Sequence, residues 1–204
     1  MVIHNMPKLD SPFVRKDINN KHVVIDAVNP GYEWVFDDNR VIATEKLNGT
    51  NVSIIIENGK ITRIFNRTTE IPFFNKGKTF IVQGVLEAFQ RDYTNFTDGQ
   101  YFGELIGPKV QGNPYKLQQH VWVPFEGYVK DHLRYKSWGK YPTDFETISR
   151  WFKEDLFSLY QARLGGEKVF PEGVVFYHPD GRMAKLRRDM FDWYDGPQHG
   201  EKEK

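Results

Sequence analysis

The 204-residue chain has no cysteine. That excludes disulfides, thiol catalysis and cysteine-ligated zinc or iron–sulfur centres, and it fits a reducing, cytoplasmic setting. No apolar run approaches the length of a membrane span, and the first residues lack a signal-peptide core. The formal net charge is only +1, so the molecule is not a polycation. A nucleic-acid partner would have to be met by basic residues gathered on one face. There is no Gly-x-x-x-x-Gly-Lys-Ser/Thr loop, and no Gly-x-Gly-x-x-Gly follows a strand. Bound phosphates would therefore have to be held by side-chain cations and a metal rather than by a helix N-terminus. The six histidines show no pairing of zinc type and read as surface or core residues.

What is present is ordinary for a globular domain: 39% hydrophobic and 27% charged residues, in a length that allows one domain with a substantial core. Aromatics reach 15%, so the core must be built largely on ring packing, with a few rings left as platforms for bases.

Residues 1–33 read as a lead-in of loops with one short strand at Val23-Val24-Ile25. The run from Val52 to Ile64 predicts a hairpin about Asn58-Gly59, a pair that tolerates the positive φ of a type I′ turn. Phe80, Ile81, Val85, Leu86 and Phe89 recur at helical spacing and predict an amphipathic helix over 79–93. Strands are expected at 101–107 and 121–129, with Pro124 marking an edge or bulge. A second helix is predicted from the capping-box run at Thr143-Asp144-Phe145-Glu146, through Leu159, to a stop at Gly165-Gly166. A final hairpin, 173–186, turns at Pro179-Asp180-Gly181. The expected class is α+β, antiparallel sheets flanked by helices, in a single domain over 1–195 with a polar tail at 196–204.

The most informative stretch is Val41-Ile42-Ala43-Thr44-Glu45-Lys46-Leu47-Asn48-Gly49-Thr50-Asn51-Val52-Ser53-Ile54. Its apolar flanks read as strands, so Lys46 falls at a strand end with its amine free to project. Gly49 suits a sharp turn or a close approach of backbone. A lysine so placed can serve as a nucleophile toward phosphorus or carbonyl centres. Lys-x-x-Gly alone is weak, since it recurs at 109–112 and 136–139. The context Glu-Lys-x-x-Gly-Thr-Asn and four further stretches in order make the case: Phe65-Asn66-Arg67-Thr68, Phe102-Gly103-Glu104-Leu105-Ile106-Gly107 with Phe125 beyond it, Glu172-Gly173-Val174-Val175, and Met183-Ala184-Lys185-Leu186-Arg187-Arg188. A carboxylate at Glu104 inside an apolar strand is costly to bury without partners, which itself favours a working role. Alternation along a strand puts Lys185 and Arg187 on one face.

Together these stretches resemble the covalent nucleotidyltransferases, and specifically the RNA ligase branch typified by phage enzymes that seal nicks in double-stranded RNA. The resemblance covers 41–191. It implies a nucleotidyltransferase domain in which Lys46 attacks the α-phosphate of ATP to give lysyl-AMP, with AMP then passing to an RNA 5′-phosphate. The attack needs a neutral amine, whereas a lysine titrates near ~10.4, so surrounding cations and partial burial are expected. By the same resemblance, Lys185 and Arg187 clamp phosphate, and Glu45, Gly49, Asn51, Arg67, Glu104, Phe125 and Glu172 form the nucleotide site. Glu104 is the ribose ligand there, Phe125 the ring on adenine, and Glu172 the carboxylate for Mg²⁺ (or Mn²⁺). Glu126-Gly127-Tyr128-Val129 has the same form as the stretch at Glu172, and order along the chain favours Glu172.

Two departures stand out. The last basic stretch has Arg187 where the family usually has a second lysine; arginine stays charged and can grip phosphate in a bidentate way. The chain also ends soon after it, where phage enzymes of this branch carry a further C-terminal domain. Adenylylation is thus the best-supported step, with RNA ends or a nicked duplex held by Lys109, Lys116, Lys130, Arg134, Lys136, Lys140, Arg182 and Arg188, or by a protein partner. A monomer is expected. The alternatives are a DNA ligase or capping enzyme, which normally place aspartate where Asn48 stands, and a non-catalytic end-binding module on the same fold.

Overall fold

A computed structural model describes residues 3–74, 76–91 and 96–196. In chain order the strands are β1 (Phe13–Ile18), β2 (Lys21–Val28), β3 (Ile42–Lys46), β4 (Thr50–Glu57), β5 (Lys60–Asn66), β6 (Thr69–Glu70), β7 (Gly99–Ile106), β8 (Val121–Pro124), β9 (Gly173–Tyr177) and β10 (Met183–Arg187). The helices are α1 (Trp34–Asp37), α2 (Thr79–Gln90), α3 (Lys130–His132), α4 (Phe145–Arg150) and α5 (Leu159–Arg163). All strand pairs are antiparallel, as the α+β class requires. Among the described residues no helix is long and apolar enough to cross a membrane.

The chain forms two compact units. One comprises Met1–Lys8 and Leu47–Leu133, the other Leu9–Lys46 and Arg134–Lys204. The first unit holds a five-stranded sheet in the order β6-β5-β4-β7-β8. The β4–β5 hairpin turns at Asn58 and Gly59, both at positive φ, as the dipeptide predicted. Val52, Ile54 and Ile56 on one face of β4 meet Leu105, Trp122 and the α2 side chains Ile81, Val85 and Ala88 in one core. Trp122 is fully buried, and its indole N–H donates to the Val52 carbonyl at 3.0 Å.

Two expectations change here. The inward face of α2 runs through Ile81, Gly84, Val85 and Ala88, while Leu86 and Phe89 stand exposed. Apolar spacing alone drew the stripe too wide, and Tyr93 lies outside the described residues. The strand expected over 121–129 stops at Pro124, the edge of the sheet, where proline has no N–H to pair. The chain then makes a wide turn over Phe125–Val129, closed by the Lys130 N–H on the Phe125 carbonyl.

The second unit holds the hairpin β1–β2 and a three-stranded sheet, β10-β9-β3. β2 contains the short strand expected at Val23-Val24-Ile25, and 3–12 and 29–33 are irregular as expected, but β1 and the turn joining it to β2 stand where a loop was expected. Asn19 and Asn20 both take positive φ, the local chemistry of a tight turn that the sequence reading missed. Phe13, Val24, Trp34, Ala43, Phe152, Val174, Phe176, Leu186 and Phe191 build a ring-rich core. The helix expected to run from 143 toward 165 is instead two. Asp144, rather than Thr143, caps α4 by accepting the Thr147 N–H at 2.9 Å. A wide turn over Trp151–Asp155 follows, Leu156 leaves helical geometry, and Ser158 caps α5. Ser158-Leu159-Tyr160-Gln161 is itself of capping-box form, so a second start signal lay inside the predicted helix.

The β9–β10 hairpin turns at Gly181 as expected, with the Gly181 N–H on the His178 carbonyl. At its end His178 is buried between two carboxylates: Nε2 is 2.8 Å from Asp38 Oδ2, and Nδ1 is 2.7 Å from Asp180 Oδ1. The Arg40 side chain, then its backbone N–H and His178, hold Asp38 well below the usual carboxylate range. The Arg182 backbone N–H leads the groups that draw Asp180 down to about 2. A depressed carboxylate stabilises the fold above its ordinary value of 3.8 and loses that contribution as pH falls toward 2. The unfolding temperature should therefore drop between pH 4.5 and 2.5, and less steeply in Asp180→Asn. Parallel curves for the two proteins would remove Asp180 from the account.

Candidate functional site

In the second unit, strand alternation sorts the side chains. Ala43, Val174, Phe176, Ala184 and Leu186 face the core. Lys46, Lys185 and Arg187 therefore share the opposite face. Lys46 sits at the last position of β3, directly across from Gly173 on β9, which is across from Arg187 on β10. One row further in, Thr44, Val175 and Lys185 are aligned in the same way. Gly173 is what lets the three strands close. A Cβ there would lie 2.1 Å from the Leu186 carbonyl oxygen and 2.7 Å from the Arg187 Cα.

Glu172, the residue before that glycine, accepts from Lys46 Nζ at 2.6 Å, and the two side chains are only 10% and 21% exposed. Its rival Glu126 lies on the first unit in an exposed ion pair with Lys130. Lys185 is half-buried; burial, then the charges of Arg187 and Lys46, push its amine below the ordinary lysine value. The Lys185 N–H donates to the Asp10 carbonyl, fixing the outer edge of β10. Arg187 donates through Nε to Asp189 Oδ1 at 2.9 Å, so the basic strand carries a counter-ion of its own. Asp189 was not anticipated, although Arg-x-Asp in sequence was available as a signal. Arg15 of β1 also lies within electrostatic reach of Arg187 and Asp189.

Glu45 points the other way. It is 1% exposed, and its two carboxylate oxygens accept the Ser158 hydroxyl at 2.6 Å and the Tyr160 N–H at 2.8 Å. The residue next to Lys46 in sequence thus anchors the start of α5 in the core, on the face away from Lys46. Alternation along β3 contained this, because neighbours in a strand face opposite ways.

The remaining expected residues lie on the first unit. Gly49 presses against β7: a Cβ would meet the Leu105 carbonyl oxygen at 2.3 Å and Glu104 Cγ at 2.7 Å. Asn51 and Glu104 are cross-strand partners on β4 and β7. Arg67 follows β5 at φ 53° and donates its N–H to the Asn51 carbonyl at 3.1 Å. Gly49, Asn51, Arg67 and Glu104 therefore gather at one end of β4. Phe125 is half-buried just beyond β8. Of the basic residues expected to grip substrate, Lys109, Lys116, Arg134, Lys136 and Lys140 are exposed. Arg188 is not: its guanidinium is packed on Phe170 at 3.7 Å and donates to the Phe152 carbonyl.

Among the described residues no three histidine, aspartate or glutamate side chains converge as a metal cage. The Glu172 carboxylate stands beside Lys46. That donor set suits a hard cation held mainly by water and substrate phosphates.

The Glu45 anchor makes a stability prediction. Glu45→Ala leaves the Ser158 hydroxyl and the Tyr160 N–H without their buried acceptor, at about 1–3 kcal/mol. The urea midpoint should fall accordingly, and Glu45→Gln, which keeps one acceptor oxygen, should lose less. An unchanged midpoint in Glu45→Ala would show that water replaces the carboxylate.

A sequence model of the RNA ligase family matches residues 39–191, about three quarters of the chain. No curated protein matches it. Among solved structures, a mutant Naegleria gruberi RNA ligase with ATP and Mn is similar at TM-score 0.50 and 15% identity, over 88% of this chain and 59% of that one. The same ligase with PPi gives TM-score 0.44 and 19% identity over 72% and 49%. A further mutant with AMP and Mn gives 0.47 and 16% over 90% and 61%. This chain thus spans less than two thirds of the length of those ligases. Likeness at such identities concerns the fold alone, an α+β arrangement of antiparallel sheets and helices. Lys46, Glu172, Lys185 and Arg187 all lie inside the matched segment, and the chain belongs to the RNA ligase family.

Proposed function

We propose that the chain is the adenylyltransferase part of an ATP-dependent RNA ligase, with residues 1–195 acting as one adenylyltransferase domain. The observation that carries this is the Lys46–Glu172 ion pair, set in one sheet with Lys185 and Arg187. A surface lysine needs no buried carboxylate and no neighbouring cations. A nucleophile that must meet a nucleoside triphosphate needs both, to hold its position and to offset phosphate charge.

In this reading Lys46 Nζ releases a proton to solvent, leaves Glu172 and attacks the α-phosphorus of ATP with the freed lone pair. The N–P bond forms, the α–β P–O bond breaks, and pyrophosphate leaves. Lys185 and Arg187 lie across the sheet to draw off charge from the phosphorus centre, with Asp189 fixing the arginine's planar fork. Glu172 would hold a divalent ion, Mg²⁺ or Mn²⁺, together with water and phosphate oxygens; bound there, the ion offsets phosphate charge. Arg67, Asn51, Glu104 and Phe125 take the nucleoside roles that the resemblance assigns them. AMP then passes to the 5′-phosphate of an RNA end, and a 3′-hydroxyl displaces it. The run Glu-Lys-x-x-Gly-Thr-Asn favours the branch that seals nicks in duplex RNA, with a partner protein supplying further grip on the substrate.

The test is intact mass after incubation with ATP and Mg²⁺. One added AMP is expected, reversed by pyrophosphate and absent in Lys46→Ala. Because Lys46→Ala strands a buried carboxylate, Lys46→Arg, which keeps the charge, is the companion variant and should also stay unmodified. Wild-type protein whose starting mass is unmodified and which gains nothing from ATP would overturn the reading.

A further inference from the structure

A cavity of about 510 Å³ opens on the second unit, on the face formed by the 137–143 loop and the turn that ends α4. Its lining includes three aromatic residues, Trp138, Tyr141 and Trp151. Two of them are locked in place. The Trp138 ring packs on Phe176 at 4.7 Å and lies 6.1 Å from Trp151, which meets Tyr135 edge-on at 5.4 Å. Tyr141, by contrast, is 69% exposed at the mouth. Ser137, Thr143, Thr147, Arg150 and Asp155 also line it. The loop that carries Trp138 and Tyr141 is basic: Arg134, Lys136 and Lys140 are exposed, and no carboxylate occurs from 134 to 143.

We propose that this cavity takes an unpaired base of the RNA substrate, with the flanking phosphates on Lys136, Lys140 and Arg150. The proposal rests on the reading of the chain as acting on RNA, and adds to it which part of the RNA is gripped. Locked rings leave an apolar, planar-walled cleft whose natural occupant is another flat π-system. Ser137, Thr143, Thr147 and Asp155 offer donors and acceptors for a base edge, and three cations nearby match a strand that carries one charge per nucleotide. A duplex hides its base faces within the stack, so at a nicked duplex the cavity takes a base splayed out at the nick, and elsewhere a loop or overhang.

The experiment uses the whole chain and a short oligoribonucleotide, followed by quenching of tryptophan fluorescence and by anisotropy of an end label. Three probes are compared: the single strand, the same strand with abasic positions, and a blunt duplex of the same sequence. The single strand should bind best and quench. Tyr141→Ala should weaken it about five-fold or more, the lower range for removing one stacking ring. Lys136→Ala and Lys140→Ala should each reduce the slope of log affinity against log salt by roughly 0.7. Abasic or duplex RNA binding as tightly as the intact strand would overturn the proposal, as would Tyr141→Ala binding like the parent; the cleft would then be left to a protein segment. Self-adenylylation with ATP needs no RNA and should be unchanged in Tyr141→Ala. Its failure in the parent protein would sink the ligase reading while leaving the base-binding result standing.

Discussion

The contact between Lys46 and Glu172 is the constraint from which the arrangement of the second unit follows. A largely buried ion pair adds little to stability, because desolvation offsets most of the attraction, but losing either partner leaves a charge stranded. The pair exists only if the end of β3 lies against the start of β9, in the one register that sets Lys46 opposite Gly173. A slip of one residue would turn Lys46 into the core and Glu45 out of it. Glu45 resists that slip, since its carboxylate is already bonded to Ser158 and Tyr160 in the interior. Two adjacent residues of opposite charge thus fix each other's direction, one as an anchor in the core and one as the partner of Glu172 on the opposite face.

Local pairing explains how a chain of net charge +1 leaves exposed positive charge gathered in one loop. Many cations have local counter-ions: Arg187 with Asp189, Arg182 with Asp180, Arg40 with Asp38, Arg63 with Glu70. Arg188 is withdrawn between rings. The lysines carry much of the remaining exposed charge, and three of the exposed basic residues cluster in the loop 134–140. Net charge therefore says little about where charge is exposed, because it averages paired cations with exposed ones.

Much of this was legible in the chain. The positions of β3 through β5, the Asn58-Gly59 turn, the 173–186 hairpin and the strand-end placement of Lys46 all follow from alternation and turn chemistry. Where the reading failed, a second local signal competed with the first. Ser158 starts a new helix inside what looked like one amphipathic run, and Pro124 ends a strand whose apolar pattern continued past it. The Asn19-Asn20 turn was overlooked because neither residue is glycine, yet asparagine tolerates the left-handed region better than most.

By itself, then, the sequence determined which residues alternate across strands, where the chain turns, and that a lysine, two carboxylates and a basic strand occur in a fixed order. Only the tertiary structure decided which of those meet. It chose Glu172 over Glu126 as the partner of Lys46, gave Arg187 its counter-ion, sent Glu45 to the core, and split the run on either side of Lys46 between two sheets. The physical reason is one of range. Alternation and turn geometry act over a few residues, whereas an ion pair between positions 46 and 172 depends on strand pairing and on a glycine that lets a third strand close.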